Sequence, residues 1–541
     1  MAITTTLPDQ ETQSPAHTNW FISLLVLAGF LLRLRLSWLT FLNPDEALHY
    51  FLSHQPSLKL AYEASLTTAH PPLMILFLHL WSLLGNAELL LRLPFVIAGT
   101  LFCWVMFLWV ESVANQQAAR FALALFLFAP PLISLSAEIR QYSVLLLFCA
   151  CSLYSLERAL AENSAKWMGF SAAALYLALL THYSALIFAA TAGIYALSRL
   201  LREKPPIRVT AAWLAGQTGA LAICVFLFES QVSKLRQMGI PSEIAATWLR
   251  GSIFQHGEDH LPAFVWTKTL RLFRYFFSQG TIGLLGFALF VFAVFALFRP
   301  DNRSDSKPFQ RKLAILLAVP FLITLALSIA GIYPYGGTRH DVLLALFAFP
   351  GIAIGLAGLP IMQPTTAAKF IKPLLLGAAI LICNLFPSPS GPSIRPGNQR
   401  RELMRQAMDY IRSLPPDSVL FTDAQGAMVL NYYLCDETMS LPFAPEDSLL
   451  KVRCGDYYVL TSAATQAGFD RGNFPVLLAT AWQEVPNEAT LYVFQSGWID
   501  DKEEDWLAEL RTLGGSPRNF EPNILISPIR QNTTSAPVPT Q

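Results

Sequence analysis

The stretch "FLNPDEALHYFLS", residues 41 to 53, sets two adjacent acids, Asp45 and Glu46, just after a long apolar run that begins at Trp20. Taking a carboxylate out of water is costly unless it is paired or hydrated, so acids at this point need a reason. One is structural: Asn43-Pro44-Asp45 is a fitting helix start. The other is chemical: a carboxylate held beside an apolar phase can take a proton from a hydroxyl. Further polar residues punctuate otherwise apolar sequence. They are His70 before "PPL"; Glu138, Arg140 and Tyr142 in "AEIRQYS"; His182 and Tyr183 in "LLTHYSA"; and Tyr333, Tyr335, Arg339, His340 and Asp341 in "YPYGGTRHD". Guanidinium groups bind phosphate bidentately, while imidazole and phenol groups add hydrogen bonds. Each residue also has a plainer use. Arg140 can anchor a helix end among lipid headgroups, His182 can be a satisfied core histidine, and the tyrosines can sit at the membrane interface.

The elements that must position these groups follow from composition. Of 541 residues, 53% are hydrophobic and 14% charged, against about 25% charged in soluble domains. That balance leaves too little polar surface for a soluble protein and points to a polytopic membrane protein. The net charge of +1 gives no support for nucleic-acid binding. Residues 1–19 are polar and lack Lys and Arg, unlike the start of a signal peptide, so the first apolar run is expected to be a retained anchor. Hydropathy places eleven spans, near 20–42, 89–110, 120–136, 142–158, 167–182, 184–198, 209–228, 280–298, 313–331, 341–360 and 373–387.

Basic residues set the orientation. With a cytoplasmic N-terminus, the inner loops hold Arg120; Arg158 and Lys166; Arg199, Arg202, Lys204 and Arg208; Arg299, Arg303, Lys307, Arg311 and Lys312; and Lys369 and Lys372. The tight outer turns hold only Arg140 and Arg339, although the outer loop 229–279 carries several more. The apolar segment 71–85, "PPLMILFLHLWSLLG", fits this scheme as a helix lying on the outer surface and not as a crossing. The acids, imidazoles, tyrosines and two arginines then gather on one membrane face. Arg33 and Arg35, late in the first span and on different helix faces, suggest snorkelling by at least one of them.

The expected organisation is a tail (1–19), a membrane domain (20–387), a Pro/Gly/Ser linker (388–399), a small α/β domain (400–529) and a disordered tail (530–541). The tail's Asn532-Thr533-Thr534 is a glycosylation triplet by pattern only. Five of the seven cysteines lie in apolar runs, where Cys acts as a small hydrophobe. Cys435 and Cys454 lie in the polar C-terminal part and form either one disulfide or two free buried thiols. No internal repeat or set of midplane charges suggests a transporter or flippase. A non-catalytic sensor with an external binding domain is the other alternative class.

The motifs "NPDEALHY", "HPPL", "LRLP", "IRQYS", "LTHYSAL" and "TRHDVLLALFAFPGIA" resemble those of GT-C type membrane glycosyltransferases. The branch is that of the protein O-mannosyltransferases and lipid A aminoarabinose transferases, glycosyltransferase family 39-like, and the resemblance spans roughly residues 20–360. It implies a multi-pass α-helical fold with a small C-terminal α/β extracytoplasmic domain. It also implies transfer of a sugar from a polyprenyl-phosphate donor, held among membrane lipids, to a hydroxyl of a lipid, polysaccharide or protein acceptor outside the cytoplasm, in the plasma membrane. Carried over, Asp45 is the general base, with a pKa raised by the membrane interface, and Glu46 orients hydroxyls. Arg140 and Arg339 hold the leaving phosphate, and Tyr142, Tyr335 and His340 add hydrogen bonds. His70 and His182 support the loops. Asp45, Glu46, His49 and His70 could offer ligands to a divalent ion, but the DxD spacing is absent and no cofactor is expected. Tyr142 stands where the aminoarabinose branch has an acid, which leaves the sugar and acceptor open.

Overall fold

The computed structural model describes residues 16–237, 239, 245–246, 248–299, 307–360, 368–389, 391–397, 399–435, 449–462, 469, 473–485, 490–496, 510, 518–520 and 524–530. Both expected tails apart from Ala16–Asn19 and Arg530, and the triplet at Asn532, lie outside these residues. The chain forms two compact units. One comprises residues 1–36, 62–77 and 89–395; the other comprises 37–61, 78–88 and 396–541. The acid segment therefore belongs to the same unit as the C-terminal α/β sheet.

The first unit is helical: α1 (Ala16–Leu39) in its larger part, α5 (Glu88–Val113), α6 (Gln116–Phe128), α7 (Pro130–Ser136), α8 (Tyr142–Ala161), α9 (Ala165–Leu179), α10 (Ala185–Glu203) and α11 (Ile207–Leu227). They are followed by α13 (Leu261–Phe277), α14 (Gly280–Phe298), α15 (Lys307–Ile329), α16 (Ala345–Gly358) and α17 (Ala368–Leu385). Among the described residues eight helices are long and apolar enough to cross a membrane, or nine if α6 and α7, bent by 56°, are one span. The eleven expected spans are not all reached, since α9 and α17 are apolar but short. The segment 71–85 forms α4 (Leu73–Trp81) and one 3-10 turn, too short to cross about 30 Å of hydrocarbon.

The α6–α7 break shows why Arg33 is in the first span. Pro130 and Pro131 have no N–H for the carbonyls of Phe126 and Leu127, which a continuous helix would satisfy four residues on. Arg33, fully buried, supplies the missing donors. Its guanidinium reaches the Phe126 oxygen at 3.1 Å and the Leu127 oxygen at 2.9 Å. Asn384 donates to the next carbonyl, Phe128, at 3.0 Å. Arg33 thus does not snorkel, whereas Arg35 is exposed. Arg33→Leu should lower stability by about 3–5 kcal/mol, because buried carbonyls lose a charged partner. Detergent-solubilised protein that melts at the wild-type temperature would rule that out.

In the second unit, α18 (Arg401–Arg412) buries Met404, Ala407, Met408 and Ile411, one amphipathic stripe. The strands are β1 (Val419–Thr422), β2 (Leu449–Cys454), β3 (Tyr457–Ser462), β4 (Thr490–Ser496), β5 (Arg518–Asn519) and β6 (Ile524–Arg530). They form one sheet in the order β2-β3-β1-β4-β6-β5, with β1 parallel to β3 and β4 and the remaining pairs antiparallel. The helix α19 (Ala424–Leu434) packs on this sheet, and a disulfide joins Cys435 to Cys454. Phe41 and Ala47 enter the same apolar core as Leu420, Met428, Phe494 and Ile526.

Candidate active site

Asp45 and Glu46 lie in the first turn of α2 (Pro44–Ser53). Its start obeys the residue types present: Pro44 opens the helix, and Asn43 and Glu46 close a capping box. The Asn43 side chain accepts the Glu46 N–H, and Glu46 Oε2 accepts the Asn43 N–H, each at 3.1 Å. Glu46 is fully buried, while Asp45 is half-buried. One oxygen of Glu46 is therefore committed to the helix start, a use the sequence signalled for Asp45 instead. His49 turns back, its Nδ1 2.5 Å from the Asp45 carbonyl. Nearby, burial and the neighbouring His79 hold His54 below the usual histidine range.

The remaining predicted residues belong to the other unit, where the structure gathers most of them around Tyr142. The Tyr142 ring lies 5.4 Å from His182, 6.3 Å from His340 and 5.6 Å from the Arg140 guanidinium. His182 stacks on His70 at 5.4 Å, and His70 Nδ1 is 3.0 Å from the Gln141 amide nitrogen. Tyr333 donates to the His340 carbonyl at 2.9 Å. Tyr275 on α13 is in charge–charge range of Tyr142, Arg339, Asp341 and Glu138, and burial raises its pKa well above the tyrosine range. The Tyr335 hydroxyl lies 2.9 Å from that of Thr269 and in charge range of Asp341.

Two devices hold the cluster. Asp341 Oδ2 accepts the N–H groups of Gly337 and Thr338 at 2.9 Å and that of Gly336 at 3.3 Å, folding the turn that carries Arg339 and His340. Only glycine suits position 337, where φ is +85° and a Cβ would lie 2.5 Å from the Arg271 carbonyl oxygen. Gln231, buried in a π-turn, donates to the carbonyls of Ser65, Thr68 and His70 at 2.7–3.0 Å and accepts the Tyr183 hydroxyl at 2.6 Å. It pins the His70 loop. Sequence reading missed Gln231, Gln141 and Tyr275. A π-turn has no residue signature, and Tyr275 lies in "RLFRYFF", which reads as a packing face.

Electrostatically the cluster is buried and sets Arg140 and Arg339 beside the carboxyl groups of Glu138 and Asp341. Burial first, then the positive charge of Arg140, pushes His182, in the turn between α9 and α10, down to about 3. It is therefore a neutral imidazole at physiological pH. The unfolded chain takes up a proton near pH 6.5 that the folded one refuses. Stability should therefore fall as pH drops from 6.5 toward 3, by up to about 1.4 kcal/mol per unit. Melting curves of His182→Gln and wild type across that window should diverge; parallel curves would show that His182 is not held neutral. The buried Tyr142 hydroxyl and Gln141 Oε1 have no hydrogen-bond partner among the described residues, as expected of groups that meet a ligand or water. No three His, Cys, Asp or Glu side chains gather at metal-binding range among the described residues.

The family of dolichyl-phosphate-mannose-protein mannosyltransferases matches residues 69–228, a stretch holding His70, Arg140, Tyr142 and His182. ArnT from Cupriavidus metallidurans in its apo state is similar over 95% of this chain and 98% of its own, at 15% identity and a TM-score of 0.52. The same protein bound to undecaprenyl phosphate is similar over 97% and 100%, at 14% identity and a TM-score of 0.53. No curated protein sequence matches significantly. The chain is thus a multi-pass membrane protein that shares the fold of ArnT over nearly its whole length and is similar over residues 69–228 to the dolichyl-phosphate-mannose-protein mannosyltransferases.

Proposed function

We propose that this protein transfers a sugar from a polyprenyl-phosphate-linked donor to an acceptor hydroxyl at the extracytoplasmic face of the plasma membrane, with inversion at the anomeric carbon. The observation that carries this reading is the cluster around Tyr142: Arg140 and His182 against its ring, Arg339 in charge range of the neighbouring Tyr275, and buried polar atoms at Tyr142 and Gln141 with no partner among the described residues. Such a group suits the head of a phospho-lipid better than a neutral sugar. Support comes from the fold shared with ArnT, one of whose structures holds undecaprenyl phosphate.

In this reading the acceptor oxygen attacks the anomeric carbon as the bond to the phosphate oxygen breaks. The acceptor proton passes to the Asp45 carboxylate, and polyprenyl phosphate leaves with one more negative charge. Arg140 and Arg339 offset that charge where water is scarce and ionic interactions are strong. Tyr142 and His340 donate hydrogen bonds to phosphate or sugar oxygens, while His70 and His182 hold the loops. Glu46 serves by fixing the start of α2. Tyr335 supports the turn through Thr269. The Cys435–Cys454 disulfide fits an oxidising compartment, in accord with the external placement of the α/β unit that basic loop residues favour. Purified protein in lipid nanodiscs, given polyprenyl-phosphate sugar labelled in the sugar, should consume the donor and release polyprenyl phosphate when acceptor lipids or peptides are supplied. Donor left intact with every acceptor class would sink the proposal.

A further inference from the structure

The acid helix α2 is entered through residues 40–42, and the C-terminal part of the same unit grips each of them. Thr40 bridges to Arg400, and Phe41 donates its N–H to the Gln399 carbonyl at 3.0 Å. Leu42 donates its N–H to the Tyr433 hydroxyl at 2.9 Å. That hydroxyl donates onward to the carboxylate of Glu88, which is 4% exposed. Glu88 is paired at 2.6 Å with Arg401, whose guanidinium lies 4.7 Å from the Trp38 ring. The preceding residue, Tyr432, sets its ring edge-on to Tyr50 of α2 at 4.9 Å and donates to the Asn86 carbonyl at 2.6 Å. Two residues beyond Tyr433, the disulfide at Cys435 ties the end of α19 to β2.

A phenol between a backbone N–H and a buried carboxylate has little freedom. Moving it would strand the Leu42 N–H and leave Glu88 short of a donor, each a buried polar loss. The anchor point lies three residues before Asp45, and a rigid capped turn separates them. We infer that Tyr433 is a positioning residue for Asp45, so that the C-terminal α/β unit sets the geometry of proton removal in addition to any contact it makes with an acceptor. This inference rests on the reading of Asp45 as the base.

The test is Tyr433→Phe, which keeps the ring and its packing and removes one oxygen. A base displaced by a fraction of an ångström should lower kcat about tenfold or more, while donor KM stays within about twofold of wild type. Amide hydrogen exchange in peptides covering residues 40–46 should quicken. Unchanged kcat would overturn the inference, as would a loss of rate fully accounted for by a smaller folded fraction, or exchange over 40–46 identical to wild type. Asp45→Asn assayed alongside separates the two ideas. An inactive Asp45→Asn with a fully active Tyr433→Phe removes only the role of Tyr433, whereas an active Asp45→Asn removes the base on which that role depends.

Discussion

An Asp45→Asn protein is expected to insert and melt as the wild type does and to lose sugar transfer by about 10²–10⁴-fold, the usual contribution of a positioned base. The structure makes this a clean experiment. The cap of α2 is formed by Asn43 and Glu46, so an amide at position 45 leaves the helix start intact while removing the proton acceptor. Donor KM should hardly change, since the loss concerns the acceptor's proton and not the lipid head. Glu46→Ala provides the contrast. It should cost about 1 kcal/mol through the lost cap and be visible first as a lower melting temperature. Wild-type turnover by Asp45→Asn would remove the base from the mechanism.

Arg339→Ala should raise donor KM by about 10- to 100-fold, since a charge-assisted hydrogen bond at a poorly hydrated site contributes about 1.5–3 kcal/mol. Its turn is built for that position: Asp341 draws in three successive N–H groups and the Gly336-Gly337 pair bends the chain. Because Asp341 holds the turn, truncating the arginine should leave the fold in place. Arg339→Lys should recover only part of the loss, because an ammonium cannot meet two phosphate oxygens in one plane. Arg140 belongs to the same cluster through Tyr142, so combining Arg140→Ala with Arg339→Ala should give a loss that is not the sum of the two. An unchanged dependence of rate on donor concentration in Arg339→Ala would show that this residue does not touch the phosphate.

Much of this molecule was open to reading from residue order alone. Long apolar runs broken by polar turns mark a membrane protein because hydrocarbon rejects unsatisfied polar groups. The quoted motifs pointed to the GT-C fold, and alternating helix and strand patterns after residue 400 to an α/β unit. Local pattern also located the turns at residues 138–142, 182–183 and 333–341, which helix packing then brings together around Tyr142.

The tertiary structure decided what local pattern cannot encode. Arg33 looks like any late-span arginine until the prolines at 130 and 131 leave carbonyls for it to satisfy nearly a hundred residues on. Glu46 reads as half of a reactive pair, yet its oxygen closes a cap. Asp45 reads as part of the membrane domain, yet its segment packs with a sheet that begins more than 370 residues later. Gln231 and Tyr433 carry no motif at all, and their importance lies in which distant N–H, carbonyl or carboxylate groups they satisfy. Periodicity reports which face of a helix is apolar, whereas a hydrogen bond across hundreds of residues is set by how the whole chain packs.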